Sequence, residues 1–388
     1  MENLQWQRFR LILTHAYHNS PFYHKRLKAA GIHPVEIRNR EDIGCLPVTH
    51  REDLRNPTEM IASGFASSYL KRSTTSGSTG ERTTTYFDSS AWLTGKHLLK
   101  YRARLACGLR PWDRVALCTE ADHHHNFIKS LLLRHRSFCA PHPLETLIKP
   151  LEDYHPSVLY GFPSFFSLLV DSKVNLLPRL IFTSSEIVDI KTRRKIENYF
   201  GSPVYDVYGS TELKEIAWEC PRREGYHINS DWFFVEFLEG GRSGQQGEIL
   251  VTSLYNYAMP LIRYAVGDTG RLLNHNCSCG RGLPLMEPLH GRSVDYFTLP
   301  DGALVSPYTM TCAIENLEGM KQYQIHQIRT DTVWVNVIPD AMFNDDVRSR
   351  LKSILEDLLP RVLVQVKIVS SIPAEESGKV RIVITDVH

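Results

Sequence analysis

The sequence predicts an α/β protein with a β-rich subdomain and a small α+β tail, on three observations. Between RVALCTE and PVYDVYGS, short apolar strand-like runs alternate with helical segments, the rhythm of parallel strands joined by helices. After Tyr226 the pattern changes to glycine-punctuated β-rich runs: WFFVEFLE, GEILVTSL and DYFTLP. Past about Tyr296 the tail QYQIHQIRTDTVWVNVIP reads as a hairpin. An amphipathic helix, DDVRSRLKSILEDLLP, and the strand runs VLVQVKIVSSIP and VRIVITDV follow it.

Each element has a local reason. Leu4, Phe9, Leu11, Leu13 and Ala16 mark the ragged apolar face of a first helix, which NSPFY breaks. LPVTHREDLR reads as a loop into a helix capped by Thr49, with Glu52 completing a capping box. A helical pattern from about Trp92 to Leu109 ends in the loop RPWD; RVALCTE is then a buried strand, and a helix is expected from about Asn126 to Arg136. SVLYGF, RLIFTSS and PVYDVYGS are strands, with SFFSLLVD and IKTRRKIENYF as helices between them.

Composition narrows the function. A chain of 388 residues is long enough for two or three domains and a core without staples. A formal net charge of +2 excludes an electrostatic nucleic-acid binder. The start, MENLQWQRFRLILTHAYHNS, lacks a signal-peptide apolar stretch, and no run approaches the ~18 apolar residues of a membrane span. The expected setting is a reducing cytoplasm, where the eight cysteines are too few for a scaffold and pairs of them point to metal or reactivity.

Two stretches carry phosphate-binding chemistry. STTSGSTG, Ser73 to Gly80, combines hydroxyls with glycines that allow tight turns, so that main-chain N–H groups can wrap a polyphosphate. A plain Ser/Thr/Gly surface loop has the same composition. It is not a Walker loop, because GxxxxGK[ST] is absent. YDVYGSTE, Tyr205 to Glu212, ends a predicted strand in a carboxylate beside a Gly-Ser-Thr turn, a setting for Mg²⁺ and phosphate. A helix start capped by Ser210 or Thr211, with Glu212 in its first turn, fits the same residues.

With PLIRYAVGDTG, GRSVD and SGKVR, these stretches form an ordered series. The series resembles that of adenylate-forming enzymes: acyl-coenzyme A synthetases, peptide-synthetase adenylation domains and luciferases. The chain is most similar to the phenylacetate–coenzyme A ligase-like branch, over essentially its whole length. HAYHNSPFYHKRLKAAGI, LPVTHREDLR, LYGFPSFFSLL and CSCGRGLP carry that branch's flavour.

The resemblance implies a large N-terminal adenylation domain, 1–295, and a small mobile α+β lid, 296–388, hinged at Asp295. It implies ATP-dependent activation of a small carboxylic acid, aryl or similar, to an acyl-adenylate, then transfer to coenzyme A. An amine, a carrier protein or another cofactor as acceptor stays open, as does, at a lower rank, a degenerate non-catalytic nucleotide-binding member. Thr74, Thr75, Ser76, Gly77, Ser78, Thr79 and Gly80 would hold the ATP phosphates. Tyr208, Gly209, Thr211 and Glu212 would sit at the adenylate, with Glu212 on Mg²⁺. Asp268 would accept the ribose hydroxyls, Arg292 would lie near the nucleotide, and Ser185 and Glu186 resemble the adenine-side loop. Lys379 would approach the α-phosphate. A homodimer is common among such enzymes.

The same branch carries a structural zinc. Cys277-Ser-Cys279 puts two thiols in one loop, and Cys220 and His227 complete a soft ligand set for tetrahedral Zn²⁺, with His275 as runner-up. Cys45, Cys107, Cys118, Cys139 and Cys312 read as core or incidental thiols. Three departures stand out. Glu81 and Arg82 replace a usual Pro-Lys, Val294 replaces the first hinge acid, and ALCTEADHHHNFIK lacks the glycine-rich segment of phenylacetate-type ligases. His123, His124 and His125 are then pocket residues or a polar loop.

Overall fold

The computed structural model describes residues 2–74, 83–119, 134–139, 144–186, 188, 190–239, 242–244, 246–290, 297–302, 304–305, 310, 313–314, 317–372 and 382–387. The chain forms two compact units. Met1–Thr75, Thr83–Arg110 and Tyr205–Arg292 make the first; Ser76–Arg82, Pro111–Val204 and Ser293–His388 make the second.

The first unit is built on antiparallel pairing. Its strands run in the order Arg242–Gly244, Phe233–Glu239, Gln246–Ser253, Tyr264–Leu273, Leu285–His290, Tyr226–Ile228, Lys214–Glu219 and Val204–Ser210, the last contributing residues 205–210. The helix Glu2–Asn19 buries Phe9, Ile12, Leu13 and Ala16 in one cluster with Phe233, Ile249 and Val251 of the sheet. Each such fully buried large side chain contributes about 1.5–3 kcal/mol. The break at NSPFY is a single residue, Ser20. Pro21 then opens the helix Pro21–Ala29, where its missing N–H costs nothing. The Lys71–Thr74 and Thr84–Phe87 strands pair antiparallel.

The expected cap at Thr49 is not formed. Thr49 is drawn into a parallel bridge with Tyr264, and its buried hydroxyl donates to the Ile262 carbonyl at 2.7 Å. The helix that follows is a 3-10 turn, Arg51–Arg55, and the box is formed one residue later, where Asp53 accepts from the His50 N–H at 2.8 Å. A long-range β contact outcompeted the local cap. Arg263 fastens the same region: it is 2 % exposed, pairs with buried Glu236 at 3.2 Å and donates to the Gly44 and Leu46 carbonyls.

In the second unit, Leu180–Ser184, Val158–Gly161, Val115–Thr119 and His135–Cys139 pair in parallel in that order. Every residue of Val158–Gly161 is buried, as a strand covered on both faces requires. Gly161 is needed for backbone approach, since a Cβ there would lie 2.2 Å from the Cys118 carbonyl oxygen. The helices Pro163–Asp171 and Ile190–Phe200 supply Phe165, Phe166, Leu169, Ile196 and Phe200 to the core. The helix expected to run to Arg136 is overturned at its end. His135 and Arg136 lie in a strand, which pairs with Val115–Thr119. As the outermost strand of this order it carries charge, as edges do, and so lacks the apolar run by which a buried strand is recognised.

The C-terminal part of this unit is a four-stranded sheet in the order Leu363–Ile368, Thr332–Pro339, Met320–Arg329 and Val383–Thr385. The central pair is the expected hairpin, and the outer strands add in parallel. The helix Asp345–Leu358, capped by Asn344 accepting from the Val347 N–H at 3.0 Å, buries Leu351 and Leu355 with Val333, Val335 and Val337. Among the described residues, no helix is long and apolar enough to cross a membrane.

Replacing Arg263 by Met should destabilise the first unit by about 3–5 kcal/mol, because Glu236 is left buried and unpaired. Adding Glu236→Leu should recover most of the loss. Urea unfolding of the single and double variants checks both, and equal losses in the two would contradict the pairing.

Candidate active site and metal centre

The carboxylate of YDVYGSTE sits on a tight turn between antiparallel strands. Val204–Ser210 and Lys214–Glu219 pair with a register shift at Tyr208/Gly209. No helix follows Ser210, so the helix-start alternative falls: the Ser210 hydroxyl accepts from the Leu213 N–H at 3.2 Å, and Lys214 turns the chain with φ 71°. Gly209 is obligatory here. A Cβ would stand 2.2 Å from the Lys214 carbonyl oxygen.

The turn presents Glu212 buried at 6 % exposure. Its Oε1 accepts from Thr83 Oγ1 at 3.4 Å and from the Tyr264 hydroxyl at 3.2 Å. Among the described residues no protein donor reaches Oε2, which leaves one carboxylate oxygen for a ligand. Burial, then the neighbouring Glu212 charge, pushes the Tyr264 phenol well above its ordinary range and keeps it a donor. Close by in the sheet, Tyr208 donates to Asp268 Oδ2 at 3.0 Å. Burial, then Asp268, also raises the Tyr208 phenol well above its usual value. Two carboxylates are thus held by two tyrosines that stay protonated. One can meet a cation and the other a diol.

Lys214 lies against the same turn. Its Nζ donates to the Thr211 carbonyl at 2.8 Å and to the Ser73 hydroxyl. Burial, then Lys100 and Lys96, brings its pKa down to about 7. In the second unit, Glu186 is buried and accepts from the Ser164 hydroxyl at 2.7 Å and the Ser164 N–H at 3.0 Å. Ser185 beside it has a left-handed φ of 73°. Thr74 ends its strand with its hydroxyl 3.3 Å from that of Thr84. Thr75, Ser76, Gly77, Ser78, Thr79, Gly80, Arg292, Asp295 and Lys379 lie outside the described residues, as do Glu81, Arg82, Val294, Cys312 and the three histidines from His123.

The cysteine–histidine set converges. Ligand atoms of Cys220, His227, Cys277 and Cys279 all lie within 4.8 Å of one another. Cys220 Sγ is 3.5 Å from Cys277 Sγ, and Cys279 Sγ is 3.4 Å from His227 Nε2. Metal bonds of about 2.0–2.3 Å give a tetrahedron with edges of roughly 3.3–3.8 Å, so these spacings fit Zn²⁺. His275 is not part of the group; its ring meets the Glu224 carbonyl at 3.2 Å. Burial favours the neutral, ligating form of His227. Burial raises the Cys279 thiol, but hydrogen bonds from Arg281 outweigh it and bring it down to about 7, towards the ligating thiolate.

A family profile described as the CapK C-terminal domain matches residues 297–386. The chain is 26 % identical over 407 residues to the phenylacetate–coenzyme A ligase of Pseudomonas putida, covering 97 % of this chain and 90 % of that one. It is 27 % identical to the Escherichia coli (strain K12) phenylacetate–coenzyme A ligase, with coverage of 84 % and 78 %. Along most of its length the chain is thus similar to the phenylacetate–coenzyme A ligases of the adenylate-forming enzymes. A crystal structure of 2-hydroxyisobutyryl-CoA ligase with 2-HIB-AMP and CoA has the same fold, with a TM-score of 0.70, 22 % identity and coverage of 100 % of this chain and 90 % of that one.

Within this fold, sequence reading missed Thr83, Tyr264 and Lys214. Tyr264 stands inside PLIRYAVGDTG, four residues before Asp268, yet only antiparallel pairing aims it at Glu212. Ser164 was likewise silent, one serine in an apolar helix.

Gly209→Ala should cost about 1–3 kcal/mol or more, since backbone rather than a side chain must yield. Denaturant unfolding measures it. A variant as stable as the parent would show that the close approach does not exist.

Proposed function

We propose that this chain is an AMP-forming acid–thiol ligase, activating a small carboxylic acid with ATP and passing the acyl group to coenzyme A. The observation that carries the reading is the pair of tyrosine-held carboxylates, Glu212 and Asp268, brought together from motifs that are far apart in sequence. The likeness to two phenylacetate–coenzyme A ligases across most of the chain supports it.

In the first step a substrate carboxylate oxygen attacks the α-phosphorus of ATP. The bond to pyrophosphate breaks, leaving the acyl-adenylate. In the second, the thiol sulfur attacks the activated carbonyl and AMP departs. Neither step needs a covalent protein intermediate; orientation and charge stabilisation supply the rate. Asp268, oriented by Tyr208, accepts the ribose hydroxyls. Glu212, with its free Oε2, would hold Mg²⁺, which would neutralise developing phosphate charge. The segment Thr74–Gly80 wraps the phosphates. Ser185 and Glu186 face the adenine, the latter fixed by Ser164. Arg292 lies near the nucleotide, and Lys379 reaches the α-phosphate from a lid, 296–388, that turns at Asp295 on a body, 1–295. Cys220, His227, Cys277 and Cys279 would close a four-ligand shell around a structural Zn²⁺, with no open position for chemistry. The setting is the cytoplasm, where free thiols such as Cys107 and Cys118 stay reduced.

An acid panel read by pyrophosphate release, with coenzyme A, amines and carrier protein supplied separately, tests the reading. AMP release stimulated by coenzyme A alone is expected. No pyrophosphate with any acid would defeat it. Lys379→Ala should abolish acid-dependent pyrophosphate exchange while ATP binding survives; normal exchange would remove the lysine from its role. Elemental analysis of the purified protein should find one zinc per chain, lost in Cys277→Ser along with thermal stability. A metal-free protein of full stability would refute the centre.

A further inference from the structure

The helical stretch Ser89–Ala106 is basic. Its sequence, SSAWLTGKHLLKYRARLA, holds Lys96, Lys100, Arg102 and Arg104 and no acid. Arg102 is paired, in a bidentate contact with Asp231 at 2.7 and 2.8 Å. Lys96 forms no ion pair among the described residues, and neither does Lys214 of the neighbouring turn. Both are partly buried. Like-charged lysines in one place raise the folding cost unless something anionic joins them.

The local backbone is shaped around Lys214. The helix widens into a π-helical turn at Thr94–Leu98, a feature that gathers at functional sites. Gly95 of that turn lies on the Lys214 stem; a Cβ added there would be 3.6 Å from Lys214 Cγ. Lys214 itself takes a left-handed φ of 71°, a strained choice for a lysine. Its ammonium faces the rings of Phe87 at 5.1 Å and Trp92 at 5.3 Å, and Lys96 Nζ stands 4.4 Å from the Trp92 ring. Two of its three N–H groups meet neutral oxygens, of Ser73 and Thr211. The third has no protein acceptor among the described residues.

Two acids stand nearby and neither removes the surplus. Glu212 offsets part of it through space but forms no ion pair with Lys214 among the described residues. Glu215 is buried with both carboxylate oxygens lacking a hydrogen-bond partner, and burial holds its carboxyl above the usual range, towards the neutral form.

We propose that Lys214, backed by Lys96, is a recognition residue for an oxyanion presented beside Glu212. The proposal rests on the ligase reading for the identity of that oxyanion: either a phosphate oxygen of the nucleotide or a second acidic group on the carboxylic-acid substrate. In both cases a charge-assisted N–H···O bond fills the open donor position, and the incoming charge neutralises the lysines.

The test compares Lys214→Met, Lys214→Arg and Lys96→Met in the full-length protein. Calorimetry measures binding of ATP and inorganic pyrophosphate without turnover, and pyrophosphate exchange measures KM for matched mono- and dicarboxylic acids. Lys214→Met should lose at least tenfold in one arm, Lys214→Arg should stay within threefold of the parent, and Lys96→Met should fall between. Weaker ATP and pyrophosphate binding with unchanged acid KM assigns the nucleotide. A raised KM for dicarboxylic acids alone, in a parent enzyme that prefers them to their monoacid analogues, assigns the substrate. Folded variants within twofold of the parent in both arms overturn the proposal. If Lys214→Met does not fold, Lys96→Met decides by the same thresholds. A parent that binds pyrophosphate through Lys214 yet activates no acid refutes the ligase reading and leaves the oxyanion site standing.

Discussion

The site depends on one close approach of backbone to backbone. Gly209 and the Lys214 carbonyl are in contact because no side chain separates them, and the chain reverses over the three residues between Ser210 and Lys214. That reversal holds Glu212 inward, where Thr83 and Tyr264 meet it. It also sets Lys214 against the π-helical turn. The sheet supplies the rest: Tyr208 precedes the glycine on the same strand and meets Asp268 from another. A rigid antiparallel scaffold is well suited to chemistry that works by positioning charge, because its dipoles and donors need not reorganise when the reacting group arrives.

Buried charge separates scaffold from site in the first unit. Arg263 is paired with Glu236 and donates further to backbone carbonyls, which pins the segment before Thr49 to the sheet. Arg102 and Asp231 are paired in the same manner. Among the described residues, Glu212 has one oxygen without a protein donor, and Lys214 has one N–H without an acceptor. Structural ion pairs close on themselves; groups meant for a ligand leave a position open. The cysteine–histidine cluster is likewise closed on itself, its four ligand atoms lying within 4.8 Å of one another.

Much of this was legible from local pattern. The strands of the parallel layer announce themselves by continuous apolar runs, and the C-terminal hairpin by alternation, because both patterns reflect burial on known faces. His135–Cys139 was misread because an edge strand keeps its charges and loses that signature. Thr49 was misread because a cap is a local bargain, and its hydroxyl found a better partner in the Ile262 carbonyl, 213 positions away. The cysteine–histidine cluster was legible as a set, since C-x-C chemistry constrains residue type as well as place. The oxygens that complete the Glu212 site were not, because threonine and tyrosine are common and their role lies only in where they point.

The sequence by itself determined the order of the motifs, the fold class and the chemical identity of the carboxylates and thiols, since these rest on residue type and on short-range periodicity. Tertiary structure alone decided which oxygen meets which. It chose Tyr264 over other phenols for Glu212, His227 over His275 for the thiols, and an acid-free helix as the neighbour of Lys214. Those choices depend on strand register and on a single glycine's clearance, quantities of a few ångströms that composition and spacing do not encode.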